Sequence, residues 1–139
     1  MRFWDSSAVI PLLVQEDDSN RRKDLLRDDP RMAVWWACRL ECASALNRLW
    51  RDGQLEEEAL TEALGALEKL AEGWYEVQPS SELRARALRL LRVHPLKAAD
   101  AAQLAAALIA TTENTAALPF LTSDERLRDA ARREGFPVG

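Results

Sequence analysis

Short apolar runs that end in polar residues alternate along this chain with longer stretches whose apolar positions recur every three to four residues. Residues 2–4 predict a first strand, and residues 32–36, 74–77 and 118–121 predict three more, with residues 135–138 as a last edge strand. Ser6 or Ser7 is suited to cap a helix carrying Ala8, Val9, Leu12 and Leu13, with Pro11 tolerated in or near its first turn. A break at 17–20 leads into a short polar helix over 21–27. Cys42, Ala45, Leu46, Leu49 and Trp50 keep helical spacing as far as Gly53, and Leu60, Leu64, Leu67 and Leu70 do so as far as Gly73. Ser80 or Ser81 opens a helix that stops at His94-Pro95. An alanine-dense helix over 97–109 and a last helix over 124–133 complete the series. Strands that alternate with helices predict an α/β fold: three α/β/α layers around a central parallel sheet of about five strands, with right-handed crossovers.

At 139 residues the length predicts one domain over 1–139, enough to bury roughly two thirds of its unfolded-chain surface. Arg2 and Asp5 flank only two apolar residues, so no signal peptide is expected, and the apolar stretches 8–14 and 101–110 are too short to span a bilayer. A cytoplasmic protein with no membrane partner is the expectation. Cys38 and Cys42, four apart and without nearby histidine, do not make a zinc site and read as small buried hydrophobes. The net charge of −4 offers no general attraction to nucleic acid, so such a role must rest on a local basic patch or on metal ions that bridge to phosphate.

The candidate chemistry lies in the acids. Asp5 follows the first strand and Asp124 follows the fourth, and the carboxyl edge of a parallel sheet is where ligands bind. Taken singly, each also suits a helix N-terminus. Asp100 stands among alanines at 98, 99, 101, 102, 105, 106 and 107, which predicts a helix packed closely all round. A charge there must be paired, by an arginine for instance, or metal-bound. Glu41 borders an apolar helical face, where pairing with Arg48 is the simpler alternative. His94 beside Pro95 reads as a cap or core residue, and with no other histidine the chain has no Ser-His or Cys-His pair to offer. Oxygen ligands without His or Cys point to Mg²⁺ or Mn²⁺, and such ions serve phosphodiester hydrolysis. Arg39, Arg48, Lys97 and Arg126 lie close in sequence to these acids and are the expected phosphate partners.

Four segments carry a resemblance: residues 4–8 (Trp-Asp-Ser-Ser-Ala), 39–46 (Arg-Leu-Glu-Cys-Ala-Ser-Ala-Leu), 94–101 (His-Pro-Leu-Lys-Ala-Ala-Asp-Ala) and 121–127 (Leu-Thr-Ser-Asp-Glu-Arg-Leu). In this order they resemble the PIN domain and, within it, the VapC-type toxins of toxin–antitoxin pairs. The resemblance spans nearly the whole chain. It implies a Mg²⁺- or Mn²⁺-dependent endoribonuclease acting on RNA, usually a homodimer, held inactive by a VapB-type antitoxin. Asp5, Glu41, Asp100 and Asp124 match the family's acidic quartet, and Ser7 and Thr122 its accessory hydroxyls; Cys38 stands near a point where Thr or Ser is expected. An antitoxin groove is expected at Leu12, Leu13 and Leu25, and a dimer contact at Trp50 and Trp74, while Trp35 and Trp36 are expected in the core. Two alternatives stay open: a catalytically silent PIN-like adaptor, and a haloacid-dehalogenase-type phosphatase, against which Ser7 occupies the place of the second aspartate that such an enzyme needs.

Overall fold

The computed structural model describes residues 1–112 and 114–139. In chain order the elements are β1 (Arg2–Trp4), α1 (Ser6–Leu13), α2 (Ser19–Asp28), β2 (Met32–Trp35), α3 (Cys38–Arg51), α4 (Glu57–Gly73), β3 (Tyr75–Val77), α5 (Ser81–Val93), α6 (Ala98–Thr111), a 3₁₀ turn at Thr115–Ala117, β4 (Phe120–Leu121) and α7 (Glu125–Arg133). All strand pairs are parallel, in the order β3-β2-β1-β4. The sheet is covered on both faces because the strands alternate. Phe3, Ala33 and Phe120 join the core under α5, α6 and α7. Their neighbours Trp4, Val34 and Leu121 join Ala8, Val9, Cys38, Cys42 and Leu67 of α1, α3 and α4 on the other side. This is the three-layer arrangement that the sequence predicts.

Several local outcomes differ from expectation, each with a physical reason. The edge strand at 135–138 reduces to a single parallel bridge, Phe120 to Val138. Pro137 has no N–H to give a ladder, and Gly135 sits at φ +98°, where a Cβ would lie 2.6 Å from Thr115 Oγ1. Pro11 falls well inside α1, not in its first turn. The carbonyl it leaves unpaired, that of Ser7, accepts from Ser123 Oγ at 3.3 Å, so the proline frees a tie between α1 and the β4–α7 loop. Trp36 lies beyond the end of β2 and is 47% exposed instead of joining the core. Trp74, expected to be incompletely buried, is covered, and its indole N–H donates to Glu76 at 3.1 Å. Both cysteines are buried, as expected.

The chain steps from β1 to β2 and β3 on one side, and β4 lies on the other. Strand order therefore reverses at the β1/β4 border, the place in an open α/β sheet where ligands bind. The register Phe3↔Phe120 and Trp4↔Leu121 brings Asp5 level with Thr122.

Candidate active site

Asp5 ends β1 and holds the N-cap position of α1, yet makes no capping hydrogen bond. Its Oδ2 accepts instead from Ser7 Oγ at 2.5 Å and from Thr122 Oγ1 at 2.8 Å. Thr122 Oγ1 also receives the amide of Asp124 at 3.0 Å, and Ser7 Oγ that of Ser123 at 2.9 Å. The two hydroxyls thus pin Asp5 between the ends of β1 and β4. The Asp5 carboxylate is buried, and burial raises its pKa although the hydroxyl and backbone hydrogen bonds oppose the shift.

Glu41 projects from the first turn of α3. Its Oε1 accepts from Ser6 Oγ at 2.9 Å and from Gln103 Nε2 at 2.8 Å. Burial again raises the pKa, helped by the charges of Asp5 and Asp100 and opposed by those two donors. Asp100 lies in the first turn of α6, half-buried, because Ala98 and Ala99 are exposed and the helix packs closely only from Ala101 onward. The expectation of a helix enclosed all round is corrected there. Burial and the charges of Asp124 and Asp5 raise the Asp100 pKa, and Lys97 pulls it back. Asp124 caps α7 by accepting from the Leu127 amide at 2.9 Å. The modest alternative reading of Asp124 is therefore realised, while its charge still reaches Asp100. Instead of pairing with Arg48, Glu41 pairs with Ser6 and Gln103.

The four acids are linked by charge: Asp5 and Asp100 act on Glu41, and Asp124 and Asp5 act on Asp100. Two of them, Asp100 and Asp124, line an open cleft of about 530 Å³ together with Pro95, Lys97 and Arg126. Of the expected phosphate partners, Lys97 and Arg126 line this cleft. Arg39 is paired with Glu68 in a separate groove beside Trp36 and Leu40, and Arg48 is exposed on α3. Three mutually repelling carboxylates with raised pKa values favour a hard cation as counter-charge, and an oxygen-only donor set suits Mg²⁺ or Mn²⁺. Among the described residues, however, no three His, Cys, Asp or Glu side chains form a ready-made cluster for a metal ion. The donor chemistry fits; the donors are not drawn together.

Sequence reasoning missed several residues here. Arg22 of α2 is buried, gives Nε to Asp18 at 2.6 Å and Nη2 to the Thr122 carbonyl at 3.1 Å, and Arg128 Nη2 donates to the same carbonyl at 2.5 Å. Burial lowers the Arg22 pKa against the pull of Asp18. Ser6 and Gln103 were also missed, although a polar side chain one turn after Asp100 in an alanine-dense helix is itself a signal. His94 is a buried cap of α5, as expected, with Nε2 2.8 Å from Glu134 Oε2. Leu12 and Leu13 line a shallow groove of about 280 Å³ with Leu26, Leu70, Lys23 and Lys69. Leu25 is not in that lining and packs against the core cluster under α1, α3 and α4. Among the described residues no helix is long and apolar enough to cross a membrane.

The sequence profile of the PIN domain matches residues 2–133. No protein with a curated description matches the chain. Among solved structures, a protein from Pyrobaculum aerophilum superposes with a TM-score of 0.66 at 19% identity, covering 93% of this chain and 78% of that one. A toxin–antitoxin complex from Klebsiella pneumoniae superposes with a TM-score of 0.63 at 19% identity, covering 100% of this chain and 96% of that one.

Proposed function

The chain belongs to the PIN domain family, and from that premise we propose that it is a Mg²⁺- or Mn²⁺-dependent endoribonuclease, one nuclease domain over 1–139 acting as the toxin of a VapBC-type pair. What supports the reading is the charge interaction that links Asp5, Glu41 and Asp100, three carboxylates with raised pKa values, and that joins Asp124 to Asp100 at the cleft. A divalent ion supplies two things when bound: a lowered pKa for an attacking water and charge neutralisation at the phosphate. Asp5, Asp100 and Asp124 would hold it, with Glu41 a direct or water-mediated ligand that orients the water. Ser7 and Thr122 fix one oxygen of Asp5. Lys97 and Arg126, at the mouth of the same cleft, meet the backbone phosphates of RNA.

The partners follow from the surface. An acidic cleft suits an arginine of an antitoxin, because a guanidinium binds two carboxylate oxygens at once. The groove at Leu12, Leu13 and Leu26, flanked by Lys23 and Lys69, suits an apolar segment that carries acids. The toxin–antitoxin complex among the structural neighbours supports this partner. Trp50, 43% exposed, supports a homodimer. The setting is cytoplasmic. One observation favours the silent adaptor: the carboxylates are not drawn together for an ion. Incubating single-stranded RNA with the full chain, with Mn²⁺ or with EDTA, separates the two. The nuclease cleaves only with metal; an adaptor binds and leaves the RNA whole.

A further inference from the structure

Granting Glu41 its place in the proposed site, we infer that Gln103, together with Ser6, is a positioning residue that fixes which oxygen of Glu41 meets solvent. Gln103 lies one turn after Asp100 on α6 and is 1% exposed. Its two amide hydrogens are spent on Ser6 Oγ and Glu41 Oε1, both at 2.8 Å, and Ser6 Oγ donates to the same Glu41 oxygen at 2.9 Å. Oε1 of Glu41 is therefore held from two sides by the protein. Oε2 has no hydrogen-bond partner among the described residues and is not among the buried unpaired atoms, so it meets solvent. The clamp also joins α1, α3 and α6, the helices that carry or follow Asp5, Glu41 and Asp100.

The orientation of the amide is set by charge. A carboxylate can only accept, so the NH₂ group must face Glu41. The consequence is visible on the other side, where Gln103 Oε1 is buried with no partner among the described residues. A buried carbonyl oxygen left unpaired destabilises the fold, and an apolar side chain of the same length at 103 would avoid it. Local packing gives no reason for an amide here; holding Glu41 does. Groups that orient a metal-binding carboxylate typically change metal affinity by roughly 10- to 100-fold when removed.

The test is a double-mutant cycle read by Mn²⁺ binding to the full chain, followed by electron paramagnetic resonance without RNA. Gln103→Met keeps the length and removes both donors; it should weaken Mn²⁺ binding roughly tenfold. In a Glu41→Gln background the same change should have less than a twofold effect, since Gln103 acts through Glu41. Ser6→Ala, at a partly exposed position, gives a second cycle should Gln103→Met fold poorly, and should weaken binding in the same background-dependent way. Unchanged binding in the single variants overturns the inference, as does an equal loss in both backgrounds, which is what a merely structural role gives. Failure of the underlying nuclease reading looks different: there Asp5→Asn also binds Mn²⁺ as the wild type does, and the positioning role falls with it.

Discussion

Removing Glu134 should cost stability at neutral pH and cost progressively less in acid. Glu134 follows α7 and accepts from His94 at 2.8 Å and from Arg89 at 2.9 Å, so it anchors the α5–α6 loop that carries Lys97 toward the cleft. The two contacts are unequal. The Arg89 side chain is about half exposed, which puts that ion pair at roughly 0–1 kcal/mol. The His94 ring is buried, so Glu134→Ala leaves an imidazole nitrogen without a partner, at about 1–3 kcal/mol. A total near 2 kcal/mol corresponds to about 7 °C in Tm for a chain of this length. Burial alone would raise the Glu134 pKa, but the hydrogen bonds and charges of Arg89 and His94 prevail and hold it below its ordinary value of 4.5. A depressed acid stabilises the fold above its unfolded pKa and loses that contribution as pH falls through the folded value. Thermal melts of wild type and Glu134→Ala should thus differ by a constant amount above about pH 5 and converge below pH 4.5. Equal Tm values at pH 7, or a gap that widens in acid, would refute the reasoning.

Other expectations concern the cleft itself. Asp100 has a raised pKa, so its ionised form opposes folding as pH rises; Asp100→Asn should melt higher than wild type in EDTA at neutral pH, by on the order of 1 kcal/mol since the group is half-exposed, and the gain should vanish in acid. Mn²⁺ should raise the wild-type Tm and the variant's much less; loss of stability in EDTA would instead mean that Asp100 has a buried cationic partner. Replacing Lys97 and Arg126 with alanine should flatten the salt dependence of RNA binding by roughly 0.7 in log–log slope per lost phosphate contact, with Arg39→Ala, already tied to Glu68, changing it little. Co-expression with a cognate antitoxin should rescue growth, and light scattering in the micromolar range should give twice the 15.7 kDa chain mass; a monomer mass would remove the dimer.

What the sequence discloses and what it hides follow from the range of the interactions. Short apolar runs that end in polar residues and helices with apolar spacing are local patterns, so the order of elements and the position of Asp5 at a strand end are legible. The juxtaposition of Asp5 with Thr122, 117 residues on, becomes legible only through the resemblance, because the β1–β4 register joins distant segments. Burial is where local reading fails. Alanine density around Asp100 suggests enclosure, yet the first turn of α6 emerges at Ala98 and Ala99. Arg22 looks like a solvated charge in a polar helix, and only the fold brings the Thr122 carbonyl to it. Pro11 looks like a first-turn residue until its lost hydrogen bond is traced to the Ser7 carbonyl and Ser123. Gln103 reads as a break in an apolar run, and its partners lie 97 and 62 residues away.

The proposed activity is hydrolysis of RNA by a metal-activated water held at Asp5, Glu41, Asp100 and Asp124. Its most direct test is cleavage of a labelled single-stranded RNA by wild type and Asp5→Asn, each with Mn²⁺ and with EDTA, on samples whose circular dichroism spectra coincide. Wild type should cleave with Mn²⁺ alone, and both EDTA and the substitution should abolish cleavage. Cleavage that persists in EDTA, or an Asp5→Asn protein as active as wild type, would contradict it.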